Sequence, residues 1–314
     1  QVVRRQRQMC IRDSLFTCCG FNSIGIASSG GAGRVTAEWM INGHINEDLF
    51  SVDIKRFQQF HSSKKFIMER VTETLGDLYG MHWPYKQHKT SRNQITLPYH
   101  EELKKLGACF GSSGGFERPM WYSLNGAKAE YEYSFGYQNW YPSAEYETRN
   151  TRKNVGLFEL TPFSKFDVAG ENVHDELQKL CTANIKDVEG RSTYTQMLNE
   201  DGGIETDVTI TCLTKNHFRI IGPAATREHD KFHIKKYLSE KINFKDVTED
   251  FACLGLYGPN TRKLLSNISD DDFSNEGIKF SHGKKVNIDG IDVWAQRLSY
   301  VCLLYTSPSP RDSR

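Results

Sequence analysis

Residues 194–213 constrain the fold of this chain more tightly than any other stretch. Residues 194–198 and 204–213 read as two β-strands, and Asn199-Glu200-Asp201-Gly202-Gly203 between them supplies the Asn, Asp and Gly that tight turns select. Such a pair closes as a hairpin. Period-two alternation then places Val208, Ile210 and Cys212 on one face and Glu205, Asp207, Thr209 and Thr211 on the other. With the turn centred near Glu200 and Asp201, Tyr194 is expected roughly across from Asp207. An aromatic ring and a carboxylate would share one face.

Two terminal segments stand apart. RRQRQMCIRDS at 4–14 and CLLYTSPSPRDS at 302–313 resemble in-frame translations of the adapters used to prepare sequencing libraries. Processing scars carry no fold information, so residues 1–14 and 302–314 are set aside, and residues 15–301 are read as native and bounded by accidental cuts. The whole chain counts 40 Lys+Arg and 39 Asp+Glu; the ends hold six arginines and two aspartates, leaving 34 against 37, a net charge of −3. No basic field remains for a nucleic-acid partner. Cys18, Cys19, Cys109, Cys181, Cys212 and Cys253 show no metal-binding spacing, and the adjacent pair suits neither zinc nor an ordinary disulfide. A reducing compartment follows. No run of about 18 apolar residues occurs, so no membrane span is expected.

The length accommodates roughly two domains or pieces of domains. A strand is expected to end near Cys19, and a Gly30-Gly31-Ala32-Gly33 turn to open a helix over 34–42, with Gly43 in the C-terminal glycine position. Such a turn lets backbone N–H groups approach an anion, although the spacing is not G-x-G-x-x-G, and on spacing alone a plain glycine-rich loop before an amphipathic helix is the commoner reading. Residues 53–106 are polar and loosely helical, with Phe57, Phe60, Ile67, Val71 and Leu75 at near-helical spacing and a short helix at 99–106 after Pro98. From residue 150 the pattern is strand-rich. Residues 165–168 alternate as a half-buried strand, and 171–181 form a helix with Val173, Leu177 and Leu180 on one face. Further helices are expected at 227–240 and 260–265, and further strands at 251–256 and 288–298.

The Tyr194 and Asp207 pair suits a pterin. The ring offers a stacking surface, and the carboxylate can hold the pterin amine or manage a proton near its nucleophilic nitrogen. A solvated strand aspartate and a packed tyrosine are the alternatives. VGLFELTPFSKFDVAG at 155–170 and YTQMLNEDGGIETDVTI at 194–210 resemble the start of the folate-binding domain shared by the glycine-cleavage T-protein and the dimethylglycine and sarcosine dehydrogenases. Upstream, Asp53-Ile54-Lys55-Arg56-Phe57 is similar to the D-x-D-I-R-R-F that follows the flavin domain of those dehydrogenases. Phe116-Glu117-Arg118-Pro119-Met120-Trp121 is similar to their G-W-E-R-P-N-W-F, and Asn139-Trp140-Tyr141 to their N-W-F. These segments fall in one order along the chain.

The resemblance implies an α+β chain of three parts. These are the C-terminal edge of an FAD-binding α/β domain (15–52), a small central domain (53–108), and the N-terminal part of a T-protein-like aminomethyltransferase domain (109–301). It implies FAD and tetrahydrofolate as cofactors and a small N-methylated amino acid, dimethylglycine or sarcosine, as substrate. Flavin would take hydride from the N-methyl group, and tetrahydrofolate would capture the one-carbon unit. The family's G-G-I-x-x-D is matched by Gly202-Gly203-Ile204-Glu205-Thr206-Asp207, which makes Asp207 the catalytic carboxylate. Tyr194, Val208, Thr209 and Tyr300 join it as folate contacts, and Ser23, Ile24, Gly25, Ile26, Ala27 and Ser28 are implied on the flavin side. The location implied is cytoplasmic in a bacterium and the mitochondrial matrix in a eukaryote. The regulatory subunit of pyruvate dehydrogenase phosphatase shares the architecture and gives a non-catalytic alternative. A stand-alone folate aminomethyltransferase is a further one, disfavoured because the T-protein lacks the region matched between Asp53 and Trp140. With both domains expected to be cut through, the 314-residue polypeptide by itself is expected to be inactive.

Overall fold

The computed structural model describes residues 9–11, 15–21, 24–43 and 47–299. The described residues up to Ile95, with Tyr133–Phe135, form one compact unit; those from Thr96 onward, without that segment, form a second.

The first unit begins with an antiparallel pair, β1 (Met9–Ile11) and β2 (Leu15–Thr17). Helix α1 (Gly25–Asn42) follows and ends as expected at Gly43, which adopts φ 75° and donates its N–H to the Trp39 carbonyl at 2.9 Å. The start differs. The glycines expected to form a turn at 30–33 lie inside the helix, whose ladder runs unbroken from Gly25, and none of them has a positive φ. No proline interrupts this stretch, so the loss of about 1 kcal/mol per helical glycine does not end the helix. The preceding strand also stops earlier than expected, at Thr17.

Short 3-10 turns at Phe50–Val52, Ile54–Arg56 and Gln59–Ser62 lead into α2 (Lys64–Asp77), capped by the Ser63 hydroxyl, which accepts the Phe66 N–H at 3.1 Å. Its buried face is Phe66, Arg70 and Thr74, one position off the expected Ile67, Val71 and Leu75 stripe. Polar chemistry explains the offset. Arg70 donates to the Thr90 carbonyl (2.6 Å), and Glu73 accepts the N–H groups of Lys89 (2.6 Å) and Thr90 (2.9 Å), so the helix turns a charged face toward its own following loop. Hydrophobic period alone cannot register such a face.

His61 packs edge-on against Phe57 and Phe66 and accepts the Gln58 N–H at Nδ1 (3.0 Å), a bond available only to the unprotonated ring. Burial holds its pKa down to about 4. A base with a depressed folded pKa contributes stability that is present above the unfolded value and lost as pH falls through the folded one. Acidification from about pH 6.5 to about pH 4 should therefore destabilise this unit by up to about 2 kcal/mol, after allowing for partial solvent access. Denaturant titrations at the two ends of that window should show the difference shrinking in His61→Gln. An unchanged difference would assign it to other groups.

Next come β3 (Ile95–Thr96), α3 (His100–Lys105), and a hairpin of β4 (Ala108–Ser113) and β5 (Phe116–Tyr122). Gly114 and Gly115 close this hairpin at φ 57° and 89°, the positive-φ pair a two-residue turn requires. The remaining elements are α4 (Tyr141–Lys153), β6 (Gly156–Glu159), β7 (Ser164–Ala169), α5 (Val173–Leu180), β8 (Ser192–Leu198), β9 (Ile204–Thr214) and β10 (His217–Gly222). They continue with α6 (Arg227–Tyr237), β11 (Asn243–Asp246), β12 (Leu254–Tyr257), α7 (Thr261–Leu265), β13 (His282–Ile288) and β14 (Ile291–Arg297). The expected helices at 171–181, 227–240 and 260–265 are thus present with shorter ends. Strand β13 was not foreseen.

The centre of the second unit is an antiparallel sheet in the order β11-β7-β10-β9-β8. Helices α5 and α6 cover one face, where Val173, Leu177, Leu180 and Ile234 meet Phe166, Val168, Val208, Ile210, Phe218 and Ile220. Strand β7 lies between β10 and β11, and its residues 164–166 and 168 are all buried, so the half-buried alternation expected for 165–168 is not what forms. Lys165 is the cause of the misreading. Its Nζ donates to the carbonyls of Thr161 (2.7 Å) and Phe163 (2.8 Å), and burial pushes its pKa down to about 8.

Candidate functional site

The hairpin forms at residues 192–214, closed by the expected Asn199–Gly203 turn. Asn199 organises that turn: its N–H donates to the Gly203 carbonyl (2.9 Å), and its Oδ1 accepts the N–H of Asp201 (3.1 Å) and of Gly203 (2.8 Å). Gly202 takes φ 80°, which side chains other than glycine and asparagine rarely adopt.

The register differs from the simple expectation. Tyr194 pairs with Thr209, and Gln196 with Asp207. Leu198 pairs with Ile204 but Met197 with Thr206, so Glu205 is an extra residue on β9, a β-bulge. The bulge flips alternation at its own position. Glu205 turns to the helix side, where its Oε2 meets His229 Nε2 of α6 at 2.8 Å, rather than sharing the face of Asp207.

Tyr194 and Asp207 nevertheless meet. They occupy diagonal positions on the outer face, and the tyrosine hydroxyl donates to Asp207 Oδ2 at 2.8 Å. Diagonal neighbours across an antiparallel pair lie within reach of a long aromatic side chain, which is why the shifted register preserves the contact. Tyr194 remains 56% exposed. Further along the same face the sheet is covered: Gln296 of β14 donates to Ser192 Oγ (2.6 Å) and Thr211 Oγ1 (3.0 Å), which lie 2.9 Å from each other. Thr209 and Thr211 are both buried. The accessible patch is confined to the turn-proximal part of the face, at Tyr194, Gln196 and Asp207. β8 is the last strand of this sheet, and its outer edge is partly paired beside the patch: the Thr182 N–H donates to the Gln196 carbonyl at 3.0 Å, and Cys181 bridges Met197.

The other implied folate contacts distribute unevenly. Val208 packs in the core on the opposite face, Thr209 is buried opposite Tyr194, and Tyr300 lies outside the described residues. On the flavin side, Ser23 also lies outside them. Ile24 is the N-cap of α1, and Gly25, Ile26, Ala27 and Ser28 form its first turn, with no side-chain cap and no acidic residue there. Unclaimed N–H groups at such a start favour an anion. Gly25, Ser29, Ala32, Gly33, Thr36 and Ala37 then line one side of the helix and, with Cys18, Phe21 and Met40, bound an open groove of about 430 Å³. Small side chains of this kind let a planar group lie close to the backbone. The residues present therefore suit a dinucleotide on α1 and a pterin at the hairpin.

Sequence reasoning missed His229, Asp230 and Gln296. Each reaches the hairpin from an element distant in sequence, and none carries a local signal beyond being polar within an otherwise packed element.

Residues 99–304 match the family described as the GCVT N-terminal domain, and residues 42–96 the FAD dependent oxidoreductase central domain. The chain belongs to the dimethylglycine and sarcosine dehydrogenase family. Its relatives in that family include 4-methylaminobutanoate oxidase (formaldehyde-forming) of Paenarthrobacter nicotinovorans, 38% identical over 289 residues, which are 92% of this chain and 35% of that protein. The mitochondrial pyruvate dehydrogenase phosphatase regulatory subunit of Mus musculus is 32% identical over 81% of this chain and 30% of its own length. Human mitochondrial sarcosine dehydrogenase is 29% identical over 91% and 36%. The chain thus spans about a third of the length of the curated relatives it matches. Family membership fixes the fold class as α+β, with a central oxidoreductase domain followed by a T-protein-like domain. Among the described residues, no helix is long and apolar enough to cross a membrane.

Proposed function

We propose that the protein of which these residues form part oxidises the N-methyl group of a small N-methylated amino acid and passes the one-carbon unit to tetrahydrofolate. The observation that carries this reading is the Tyr194–Asp207 pair on the open part of the hairpin face, within a matched G-G-I-x-x-D. When bound, FAD supplies the hydride acceptor and tetrahydrofolate the nucleophilic nitrogen. The chain's own residues bind and orient. Asp207 holds the pterin amine or a proton beside that nitrogen, Tyr194 fixes the carboxylate through its hydroxyl and offers its ring for stacking, and the segment at the start of α1 lies against the flavin ring with the helix facing the dinucleotide. Holding both sites on one polypeptide keeps a formaldehyde equivalent from solvent. Dimethylglycine and sarcosine are the substrates inherited from the family reading, and the printed name of the bacterial relative adds 4-methylaminobutanoate as a third of the same chemical class.

A non-catalytic reading is favoured by one observation, the identity with the phosphatase regulatory subunit. Anaerobic mixing of the full-length protein with each of the three N-methylated substrates separates the two. The enzyme reading expects at least one to bleach the flavin absorbance; a protein that binds flavin but is bleached by none would support the regulatory reading.

A further inference from the structure

Behind the hairpin runs a series of hydrogen bonds that no site residue named above explains. Asn199, which organises the turn, donates from Nδ2 to Glu205 Oε1 at 2.9 Å. The other oxygen of Glu205 meets His229 Nε2 at 2.8 Å, and His229 Nδ1 meets Asp230 Oδ1 at 3.1 Å. Asp230 is wholly buried, and its second oxygen accepts the Thr226 hydroxyl at 2.8 Å. The series therefore begins at the turn, passes through the bulge residue and ends on a fixed carboxylate at the start of α6. A β-bulge is where a strand is re-aimed, and this one stands two residues from Asp207.

We infer that His229 is a positioning residue for the folate face: by gripping Glu205 it holds the bulge and the turn, and so sets the direction in which Asp207 and Tyr194 project. The inference rests on the folate reading of that face. The path from His229 to the folate face runs through Glu205. The groups facing His229 include Glu205 from β9 and Asp230 from its own helix, with His233 one turn on, its ring parallel at 6.3 Å. His233 is held neutral by burial, so it adds no competing charge at neutral pH. The His229 pKa is raised, first by the hydrogen bond to Asp230 and then by the charges of Asp230 and Glu205, against the opposing effect of burial. The sign follows: with a folded pKa above the unfolded value, the charged ring and both charge-assisted bonds are fully present below about pH 6.5 and fade as pH rises through the raised value.

The test is tetrahydrofolate affinity, measured anaerobically by fluorescence titration of the full-length protein from pH 6 to 9, for wild type, His229→Gln, Glu205→Gln and Asp207→Asn, with the imidazole titration of His229 followed by NMR. Wild type should lose affinity about 3- to 10-fold as His229 deprotonates. His229→Gln should sit at the weaker level across the range, and Glu205→Gln, which keeps a hydrogen-bond acceptor but no charge, should flatten the same profile. Coincidence of the affinity midpoint with the NMR midpoint is a readout that simple loss of folding would not give. If Asp207→Asn weakens binding while both clamp variants retain the wild-type pH profile, the positioning role is refuted and the folate reading stands. If Asp207→Asn leaves affinity unchanged, the folate reading itself is what fails.

Discussion

Replacing Asp207 by Asn should reduce the one-carbon unit recovered on tetrahydrofolate by about 10²- to 10⁴-fold, the usual range for removing a positioned acid or base. The rate of flavin bleaching by the same N-methylated substrate should stay within about twofold, since only groups acting at the reacting centre move a chemical step. The carbon should then appear as free formaldehyde. The asymmetry comes from where the two sites lie. Asp207 stands on the outer face of β9 with the Tyr194 hydroxyl 2.8 Å away, while the implied flavin residues belong to α1 in the other compact unit. Asn at position 207 retains an acceptor for Tyr194, so the hairpin should keep its shape, and the loss should track charge and proton transfer rather than folding. Quantifying bleaching, folate-bound carbon and formaldehyde in one anaerobic experiment separates these. Equal loss of bleaching and of folate-bound carbon would contradict the division of labour.

Phe218→Ala should destabilise the second unit by about 3–5 kcal/mol, as expected for deleting a large side chain from a close-packed core. Phe218 is fully buried on β10, in the cluster with Val168, Cys212 and Leu177, and the His174 ring lies 6.1 Å from its ring, tilted by 40°. β10 is the middle strand of five, so a cavity there is felt by β7 and β9 together. Tyr194→Ala removes a comparable ring from the same sheet, but from an exposed edge, and should change stability by no more than about 1 kcal/mol. Urea titrations of the two variants side by side make the comparison. Similar losses would mean that the hairpin edge is more deeply packed than the structure indicates.

Much of this architecture could be read from the sequence, and the places where reading failed have distinct causes. The turn at 199–203 declared itself because Asn199 and Gly202 are needed for backbone reasons, and α5 because Val173, Leu177 and Leu180 keep helical period against one core. Gly43 marked the end of α1 for the same local reason. The misread elements are those whose geometry is set by partners distant in sequence. The bulge at Glu205 is held by His229, which is 24 positions away, and α2 is rotated by bonds from Arg70 and Glu73 to a loop that follows it. Strand β7 breaks the period-two pattern because the long side chain of Lys165 is satisfied by two carbonyls instead of by water. In the site, the Tyr194 and Asp207 contact was anticipated, with its register wrong by one diagonal step, because aromatic reach tolerates the shift. The cover over Ser192 and Thr211 was not anticipated, because it comes from Gln296 of β14, distant in sequence.

Binding of reduced folate at the turn-proximal outer face of β8 and β9 is what the proposed function depends on. It is tested most directly by equilibrium titration of tetrahydrofolate into the full-length protein and into its Tyr194→Leu/Asp207→Asn double variant under anaerobic conditions. Loss of one stacked ring and one charged hydrogen bond should weaken binding by at least about 100-fold while the circular-dichroism spectrum and unfolding midpoint remain those of the wild type. Wild-type affinity in a folded double variant would contradict the claim and place the folate elsewhere.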